Sequence, residues 1–306
     1  MTEPQLQHTV VGGAAAREGG PRCMAWWDWR STGGRDDHVV VCVHGLSRQG
    51  RDFDTLARAL QPFCRVVAVD VAGRGHSDWL ADPMAYQVPT YVADLAVLLQ
   101  QLRAQRPGVR IDWVGTSMGG LIGMGVAAQP LLAPTRLVLN DVGPVVQWEA
   151  LMRIGTYLGL DPDFDSMQAA SDYLASISKG FGPHTPEQWR ALSLPMLRER
   201  GGRVRLHYDP AIALPFKAMT QGVETQALRE AVRAGEAALW DLYDAIAAPT
   251  LVLRGEDSDL LSMDTVRAMQ ARGPRPRCVS FAGVGHAPTL MADDQVRAVL
   301  DFLLSP

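Results

Sequence analysis

The stretch Val114-Gly115-Thr116-Ser117-Met118-Gly119-Gly120 decides the fold of this 306-residue chain. The apolar run 111–115 leads into it, and the small-residue segment 121–129 that follows has the character of a helix. A Gly-x-Ser-x-Gly bend between a strand and a helix is too tight for side chains at its glycine positions, and it holds the serine hydroxyl clear of the backbone. The stretch therefore predicts a nucleophilic Ser117. The alternative is an ordinary glycine-rich turn.

Further apolar runs on both sides of this bend are typical of buried strands. They cover residues 38–43, 65–70, 136–141, 250–254 and 277–281. Between them, segments such as 54–60 and 91–102 place apolar residues at the spacing of a helix face. This alternation predicts an α/β fold with a mostly parallel sheet flanked by helices. Residues 22–29 are expected to add an antiparallel edge strand.

The alternation of strands and helices stops after Asp141 and resumes at Thr250. Residues 144–239 lack strand runs and are rich in Met, Trp, Tyr and Pro, so we predict a helical cap inserted in the chain. Residues 1–143 and 240–306 would together form the core. Two sequential domains are less favoured, because the first 143 residues alone would leave the sheet a strand or two short.

Composition excludes several classes of function. The net charge is −4, which offers no basic surface for nucleic acid. Lysine occurs only at Lys179 and Lys217, and no Gly-x-x-x-x-Gly-Lys run is present, so a phosphate-binding loop is excluded. The four cysteines form no Cys-x-x-Cys pair and are expected to be free thiols. We therefore predict no metal and no cofactor.

The hydropathy pattern gives no sign of a membrane or an export signal. No apolar run approaches 18 residues, the length that would suggest a membrane span. The first residues, Met-Thr-Glu-Pro-Gln, lack the basic region and apolar stretch of a signal peptide. A soluble cytoplasmic protein is the expectation.

A serine nucleophile needs a base, and His286 is the best placed of the seven histidines. It lies in the segment 281–288, after the last predicted strand and before the last predicted helix. Loops at the carboxyl ends of parallel strands share one edge of the sheet, so His286 should come near Ser117. A surface histidine is the alternative, and His44 and His76 are rivals that belong to other loops.

The backbone of His44-Gly45-Leu46, directly after the strand 38–43, suggests an oxyanion hole. The N–H groups of Leu46 and Met118 would both face the nucleophile and donate to the negative charge that develops on the substrate oxygen. A plain strand-to-helix turn is equally compatible with this sequence, because only backbone groups are used.

Several short motifs occur together in a characteristic order. They are His44-Gly45, Asp70-Val71-Ala72-Gly73-Arg74-Gly75-His76-Ser77, Gly115-Thr116-Ser117-Met118-Gly119, Leu253-Arg254-Gly255-Glu256 and Gly285-His286. In this order the chain resembles, over essentially its whole length, the α/β-hydrolase superfamily and specifically its serine-nucleophile members with a lid. The resemblance implies an esterase, lactonase, carbon–carbon-bond hydrolase or amide hydrolase. Serine at the elbow, where haloalkane dehalogenases and epoxide hydrolases have aspartate, argues against those two classes.

The resemblance also implies an acidic third residue, and two positions compete for it. The acid of this superfamily usually follows the strand after the lid in a Gly-x-x-Asp pattern, but Gly255 is followed there by Ser258, with Asp259 one residue later. Some relatives place the acid before the lid, where Asp141 stands. We favour Asp141 and keep Asp259 as the alternative, since Asp259 needs a one-residue shift of the loop. Asp141 could also simply cap its own turn.

The resulting hypothesis is a cofactor-independent serine hydrolase acting on a small-molecule substrate. Ser117, His286 and Asp141 would cleave an ester or lactone of a small, partly apolar acid through an acyl-enzyme. One alternative is a carbon–carbon-bond hydrolase of a ring-cleavage product, and another is a non-catalytic protein that only binds a small ligand. Arg153, Lys179, Arg190 and Arg205 are candidates to hold a substrate carboxylate, although exposed surface charge is the favoured interpretation of each. The oligomeric state is left open.

Overall fold

The strands of the core follow the predicted runs closely. A computed structural model describes residues 3–12, 20–220 and 226–305. In chain order the strands are β1 (Gln5–Val11), β2 (Arg22–Trp29), β3 (His38–Val43), β4 (Arg65–Val69), β5 (Arg110–Thr116), β6 (Leu137–Asn140), β7 (Leu197–Arg200), β8 (Arg203–Leu206), β9 (Thr250–Gly255) and β10 (Arg277–Phe281). Within these described ranges, eight of them form one sheet in the order β1-β2-β4-β3-β5-β6-β9-β10.

The sheet is mostly parallel, as predicted. Every neighbouring pair from β4 to β10 in this order is parallel, whereas β1 with β2 and β2 with β4 are antiparallel. Val39, Val41 and Val43 of β3 belong to one apolar cluster, and Val40 and Cys42 belong to the other. Successive side chains of a strand point to opposite faces, so this continuous apolar run supplies both layers of the core.

Helices cover both faces of the sheet. They are α1 (Asp54–Leu60), α2 (Val88–Gln105), α3 (Met118–Ala127), α4 (Trp148–Gly155), α5 (Met167–Ile177), α6 (Pro186–Ser193), α7 (Ala213–Thr220), α8 (Gln226–Asp244), α9 (Met263–Ala271) and α10 (Asp293–Leu304). Leu60 of α1 and Leu303 of α10 are buried in one cluster, while Leu98 of α2 and Ile122 of α3 are buried in the other. The predicted class, an α/β-hydrolase arrangement of a parallel sheet between helices, is confirmed.

The prediction of an edge strand at residues 22–29 is wrong in one respect. These residues form β2, which is antiparallel as expected, but β1 lies outside it and is the edge. The buried side chains of β2 serve both clusters, with Trp26 in one and Trp29 in the other, so β2 is covered on both faces. The sequence of β1 gave little warning because its buried residues are few and weakly alternating.

The segment between β6 and β9 contains α4 to α8, but it is not purely helical. Contrary to the prediction, β7 and β8 form an antiparallel hairpin there. Gly201 and Gly202 join them with φ angles of 60° and 75°, values that glycine adopts without strain. Helix α8 also runs through the predicted boundary between residues 239 and 240. The division into a cap (residues 144–239) and a core stays a prediction.

The far end of the hairpin is bonded to the turn after β4. The Gly75 N–H donates to the His207 carbonyl at 3.1 Å, and the Asp209 N–H donates to the Gly73 carbonyl at 2.8 Å. The buried Tyr86 hydroxyl donates to the Asp209 carboxylate at 2.6 Å. The turn at residues 70–77 is therefore bonded to the segment that follows β8.

The four cysteines are free thiols. Cys42 and Cys64 are buried, and Cys23 and Cys278 are half-buried. Burial raises the pKa of Cys64 to about 12, which keeps the thiol protonated.

In the described ranges, no helix combines the length and hydropathy that crossing a bilayer requires.

Candidate active site

Ser117 lies at the bend between β5 and α3. Its φ and ψ of 52° and −117° are unfavourable for a residue with a side chain, so the surrounding structure must hold it there. The bend is tight because a Cβ on Gly115 would collide with the Gly119 carbonyl, and a Cβ on Gly119 would collide with the Val43 carbonyl. The two glycines of the motif are thus required by close backbone approach, as the sequence predicted.

His286 reaches Ser117 from the loop between β10 and α10. Its Nε2 lies 2.9 Å from the Ser117 Oγ, and its Nδ1 lies 2.7 Å from the Asp141 Oδ2. The imidazole is about one-tenth exposed, and the Asp141 carboxylate is fully buried. The structure therefore brings together three residues that are far apart in sequence, in one continuous line of hydrogen bonds.

Asp141 follows β6 and is held at both of its carboxylate oxygens. Its φ of 55° turns the chain away from the sheet. The Oδ1 accepts the Gly255 N–H at 2.9 Å, and the Oδ2 accepts the Ser258 hydroxyl at 2.6 Å as well as facing His286. A buried carboxylate with this many donors is satisfied and fixed in orientation.

Asp259, the alternative acid, does not bond to His286. Its carboxylate accepts hydrogen bonds from Arg153 Nε at 2.6 Å and Nη2 at 3.0 Å, and both side chains are 40% exposed. Burial alone would raise the pKa of Asp259, but the hydrogen bonds and charge of Arg153 hold it below the usual value. Ser258 stands after β9, where the acid is usually found, and its hydroxyl donates a hydrogen bond to Asp141, the acid after β6.

The two proposed oxyanion-hole residues lie beside the nucleophile. Met118 is the first residue of α3, where the helix provides no acceptor for its N–H. A Cβ on Gly45, the residue before Leu46, would lie 3.6 Å from the Cβ of Ser117. The assignment of their N–H groups to an oxyanion stays a prediction.

The rival histidines have other surroundings. His44 is fully buried, its Nε2 accepts the Val71 N–H at 3.0 Å, and its Nδ1 donates to the Gly45 carbonyl at 2.7 Å. Burial lowers the pKa of His44 to about 3, so it stays neutral and fixes the loop before Leu46. His76 instead makes edge-to-face contacts with Trp27 and His207. Neither has a hydrogen bond to Ser117 within the described residues.

A cavity of about 90 Å³ opens over Ser117 and His286 between the sheet edge and residues 144–239. Its walls combine apolar side chains with polar ones, and both regions contribute. The lining residues include Leu46, Arg48, Arg153, Ile154, Tyr157, Tyr173, Leu174, Ile177, Phe181, Met196, Leu206 and Tyr208. In the part of the chain that the structure describes, no three His, Cys, Asp or Glu side chains come together as a metal site would require.

Sequence reasoning missed two of these residues. The role of Ser258 was not anticipated, although its register after Gly255 was the available signal. Arg48 carried no distinctive pattern as a charged residue of the cavity wall. Of the candidate cations named from sequence, Arg153 lines the cavity, whereas Arg205 pairs with Asp161 and Asp163 on the surface.

Comparison with known proteins places this architecture in a family. Residues 40–299 match the profile described as the alpha/beta hydrolase family. The 3-hydroxybutyrate-oligomer hydrolase of Cupriavidus necator is 47% identical over 283 residues, covering 91% of this chain and 92% of its own. A pimeloyl-[acyl-carrier protein] methyl ester esterase of Xanthomonas oryzae pv. oryzae is 28% identical over 271 residues, covering 86% and 93%.

A solved structure supports the same assignment over the full chain. The alpha/beta hydrolase of Novosphingobium aromaticivorans is 34% identical, covers 99% of each chain and superposes with a TM-score of 0.81. Its agreement extends through both the sheet and the segment inserted between β6 and β9. Together with the sheet order and the bend at Ser117, these similarities show that the chain belongs to the alpha/beta hydrolase family and is a hydrolase.

Proposed function

We propose that this hydrolase is a serine esterase that cleaves short oligoesters of 3-hydroxybutyrate or a similarly small hydroxyacid. The observation that carries the proposal is the line of hydrogen bonds from Ser117 through His286 to Asp141, at 2.9 and 2.7 Å. Such a line supplies a nucleophile, a base in reach of its proton, and a carboxylate that orients the base.

The proposed reaction uses these groups in a fixed order. His286 Nε2 takes the hydroxyl proton as Ser117 attacks the ester carbonyl carbon, and the Leu46 and Met118 N–H groups stabilise the oxyanion. His286 then returns the proton to the leaving alkoxide. Water, activated by the same imidazole, releases the acid from the acyl-enzyme, while Asp141 stabilises the transient imidazolium.

The substrate class rests on the relative and on the cavity. The 47% identical relative is named for hydrolysis of 3-hydroxybutyrate oligomers. Cleavage of such an oligomer releases a hydroxyacid with a methyl branch, which is a small, partly apolar acid. The cavity offers apolar walls such as Ile154 and Leu174 together with polar groups, and residues 144–239 would act as the cap over it.

The test combines covalent labelling with a substrate panel. The wild-type protein should react irreversibly with a fluorophosphonate and hydrolyse p-nitrophenyl butyrate and the linear 3-hydroxybutyrate dimer. Ser117→Ala should lose the label and at least about four orders of magnitude in kcat. Absence of labelling would contradict the serine mechanism and indicate a ligand-binding protein. Turnover of only a vinylogous diketone would contradict the ester proposal and favour carbon–carbon bond cleavage.

A further inference from the structure

The walls of the active-site cavity carry positive charge only. Of its lining residues, Arg48 and Arg153 bear formal charges, and no Asp, Glu or Lys of the described residues is among them. The carboxylates that pair with the two guanidiniums, Asp52 and Asp259, lie outside the lining. A molecule in the cavity therefore contacts cations without contacting their counter-charges.

Both guanidiniums keep donors for a further acceptor. Arg48 uses Nε and Nη2 for Asp52, at 2.7 and 2.6 Å, and Nη2 also donates to the Leu192 carbonyl at 2.9 Å. Arg153 likewise uses Nε and Nη2 for Asp259. A guanidinium has five N–H donors in a planar fork, so each arginine keeps donors for a substrate carboxylate after these bonds and after the bond between Arg153 and the Tyr157 hydroxyl.

Tyr157 adds a hydroxyl group to the two guanidiniums of the cavity wall. Its ring also lines the cavity, and its hydroxyl interacts with the Arg153 guanidinium. Burial raises the pKa of Tyr157, while the charges of Arg153 and Arg48 oppose that rise. The hydroxyl therefore stays protonated at neutral pH and can donate to an anion. Arg48, Arg153 and Tyr157 are called the arginine cluster below.

The arginine cluster faces the same cavity as Ser117 and His286. In acyl transfer the imidazole gives its proton to the leaving oxygen, which places the alcohol half of the ester next to His286. In a linear oligomer of 3-hydroxyacids the acyl half ends in a hydroxyl group, so the free carboxylate belongs to the alcohol half.

We propose that the arginine cluster, with Arg153 as its main contact, binds a free carboxylate on the alcohol half of the substrate. This inference rests on the esterase function proposed above and sharpens it. In an oligomer of 3-hydroxyacids, the ester nearest the carboxyl end is the one whose leaving alcohol carries a free carboxylate. The enzyme then removes hydroxyacid units one at a time from that end. The hydrolysis is unchanged: water supplies the acyl hydroxyl, and the alcohol leaves protonated.

The test compares substrates that differ only in that carboxylate. The linear 3-hydroxybutyrate dimer presents it, the methyl ester of the same dimer masks it, and p-nitrophenyl butyrate lacks it. Charge-assisted bonds to a guanidinium are worth about 10- to 100-fold in affinity. The wild-type kcat/KM should be higher for the free acid than for its methyl ester by about that factor, mainly through a lower KM.

The variants separate binding from structure. Arg153→Met should abolish the preference for the free acid, read as the ratio of kcat/KM for the dimer to kcat/KM for its methyl ester. The double variant Arg153→Met/Asp259→Asn should behave alike, because it leaves no unpaired carboxylate near His286. Arg190→Met is the matched control, since Arg190 is an exposed arginine of α6 that does not line the cavity, and it should change nothing.

The outcomes distinguish this inference from the proposed function. Equal wild-type kcat/KM values for the free acid and its methyl ester would overturn the arginine cluster as a carboxylate site and leave the esterase intact. The same holds if both Arg153 variants keep the preference. If the wild-type protein cleaves no ester and takes no fluorophosphonate label, both proposals fail together.

Discussion

Polar groups at the edge of the sheet and in residues 144–239 are held in different ways. Ser117 and Asp141 follow buried strands, have positive φ angles and are fixed by backbone bonds to neighbouring strands. Arg153 stands on α4 and bonds to Asp259 through side chains that are both 40% exposed. The groups proposed to do chemistry are thus set by the sheet, and those proposed to choose the substrate are set by side chains.

This difference has an energetic consequence. An exposed ion pair such as Arg153–Asp259 contributes about 0.2–1 kcal/mol, so a substrate carboxylate can share its guanidinium at little cost. The Asp141 carboxylate is fully buried and would leave several donors unsatisfied if it moved. The cavity wall at Arg153 can therefore change, and with it the range of substrates, while Ser117, His286 and Asp141 keep their positions.

The difference between the two regions is tested most directly by replacing Asp141 and Asp259 in turn. Asp141→Asn should lower kcat for p-nitrophenyl butyrate by about four orders of magnitude, because the imidazole loses its orientation and the stabilisation of its cation. Asp259→Asn should lower it by less than about tenfold. Steady-state kinetics at neutral pH measures both. The reverse ranking would assign the acid to the loop after β9.

A second prediction concerns the bond between Tyr86 and the segment that follows β8. Tyr86→Phe removes a buried donor to Asp209 and should lower the free energy of unfolding by about 1–3 kcal/mol. Urea denaturation measures this change. Tyr173→Phe is the control, since the Tyr173 hydroxyl bonds to no described residue, and it should stay within about 0.5 kcal/mol. Equal effects would show that the Tyr86–Asp209 bond does not stabilise the fold.

A third prediction tests the support of Asp141. Ser258→Ala removes the hydroxyl that lies 2.6 Å from the Asp141 Oδ2 and should lower kcat by about tenfold. Ser262→Ala, on the same loop, removes the cap of α9 and should lower stability but leave kcat unchanged. An unchanged kcat in Ser258→Ala would mean that the sheet alone fixes the acid.

The smallest expected effect is a dependence of the free energy of unfolding on pH, caused by His207. Burial lowers the pKa of His207 to about 4, and His76 and Arg198 nearby act in the same direction. The folded state therefore favours the neutral ring, and stability present above about pH 6.5 is lost as the pH falls towards 4. Solvent screening keeps this below about 1 kcal/mol per pH unit.

The test of that dependence is the variant His207→Phe, which keeps an aromatic ring against His76 but cannot titrate. Its free energy of unfolding should fall less than that of the wild type between pH 6.5 and 4. Denaturation curves at several pH values give the comparison. Parallel curves for the two proteins would assign the acid sensitivity to other groups, such as the buried His44.

The sequence predicted the sheet and the positions of Ser117, His286 and Asp141 because these depend on local patterns. Buried parallel strands are apolar runs, and the residues that follow them must gather at one edge of the sheet. Which acid faces His286 depended on the loop after Gly255, and only the structure shows that Ser258 fills the space where a carboxylate was expected.

What the sequence did not show depends on contacts between distant segments. Strand β1 has few buried residues, and β7 and β8 are only four residues long and strongly charged, so neither region contains an apolar run that predicts a strand. The Gly201-Gly202 pair was the one local signal of the hairpin. The arginine cluster consists of residues from the loop after β3 and from α4, and no pattern along the chain indicates that both line one cavity.

The closeness of Asp141 and Ser258 limits how much charge this part of the molecule can carry. The Ser258 hydroxyl lies 2.6 Å from the Asp141 Oδ2, so an aspartate at position 258 would place two carboxylates within hydrogen-bond distance of each other. Two such groups cannot both ionise, and one of them would keep its proton. The space beside His286 therefore accommodates a single negative charge.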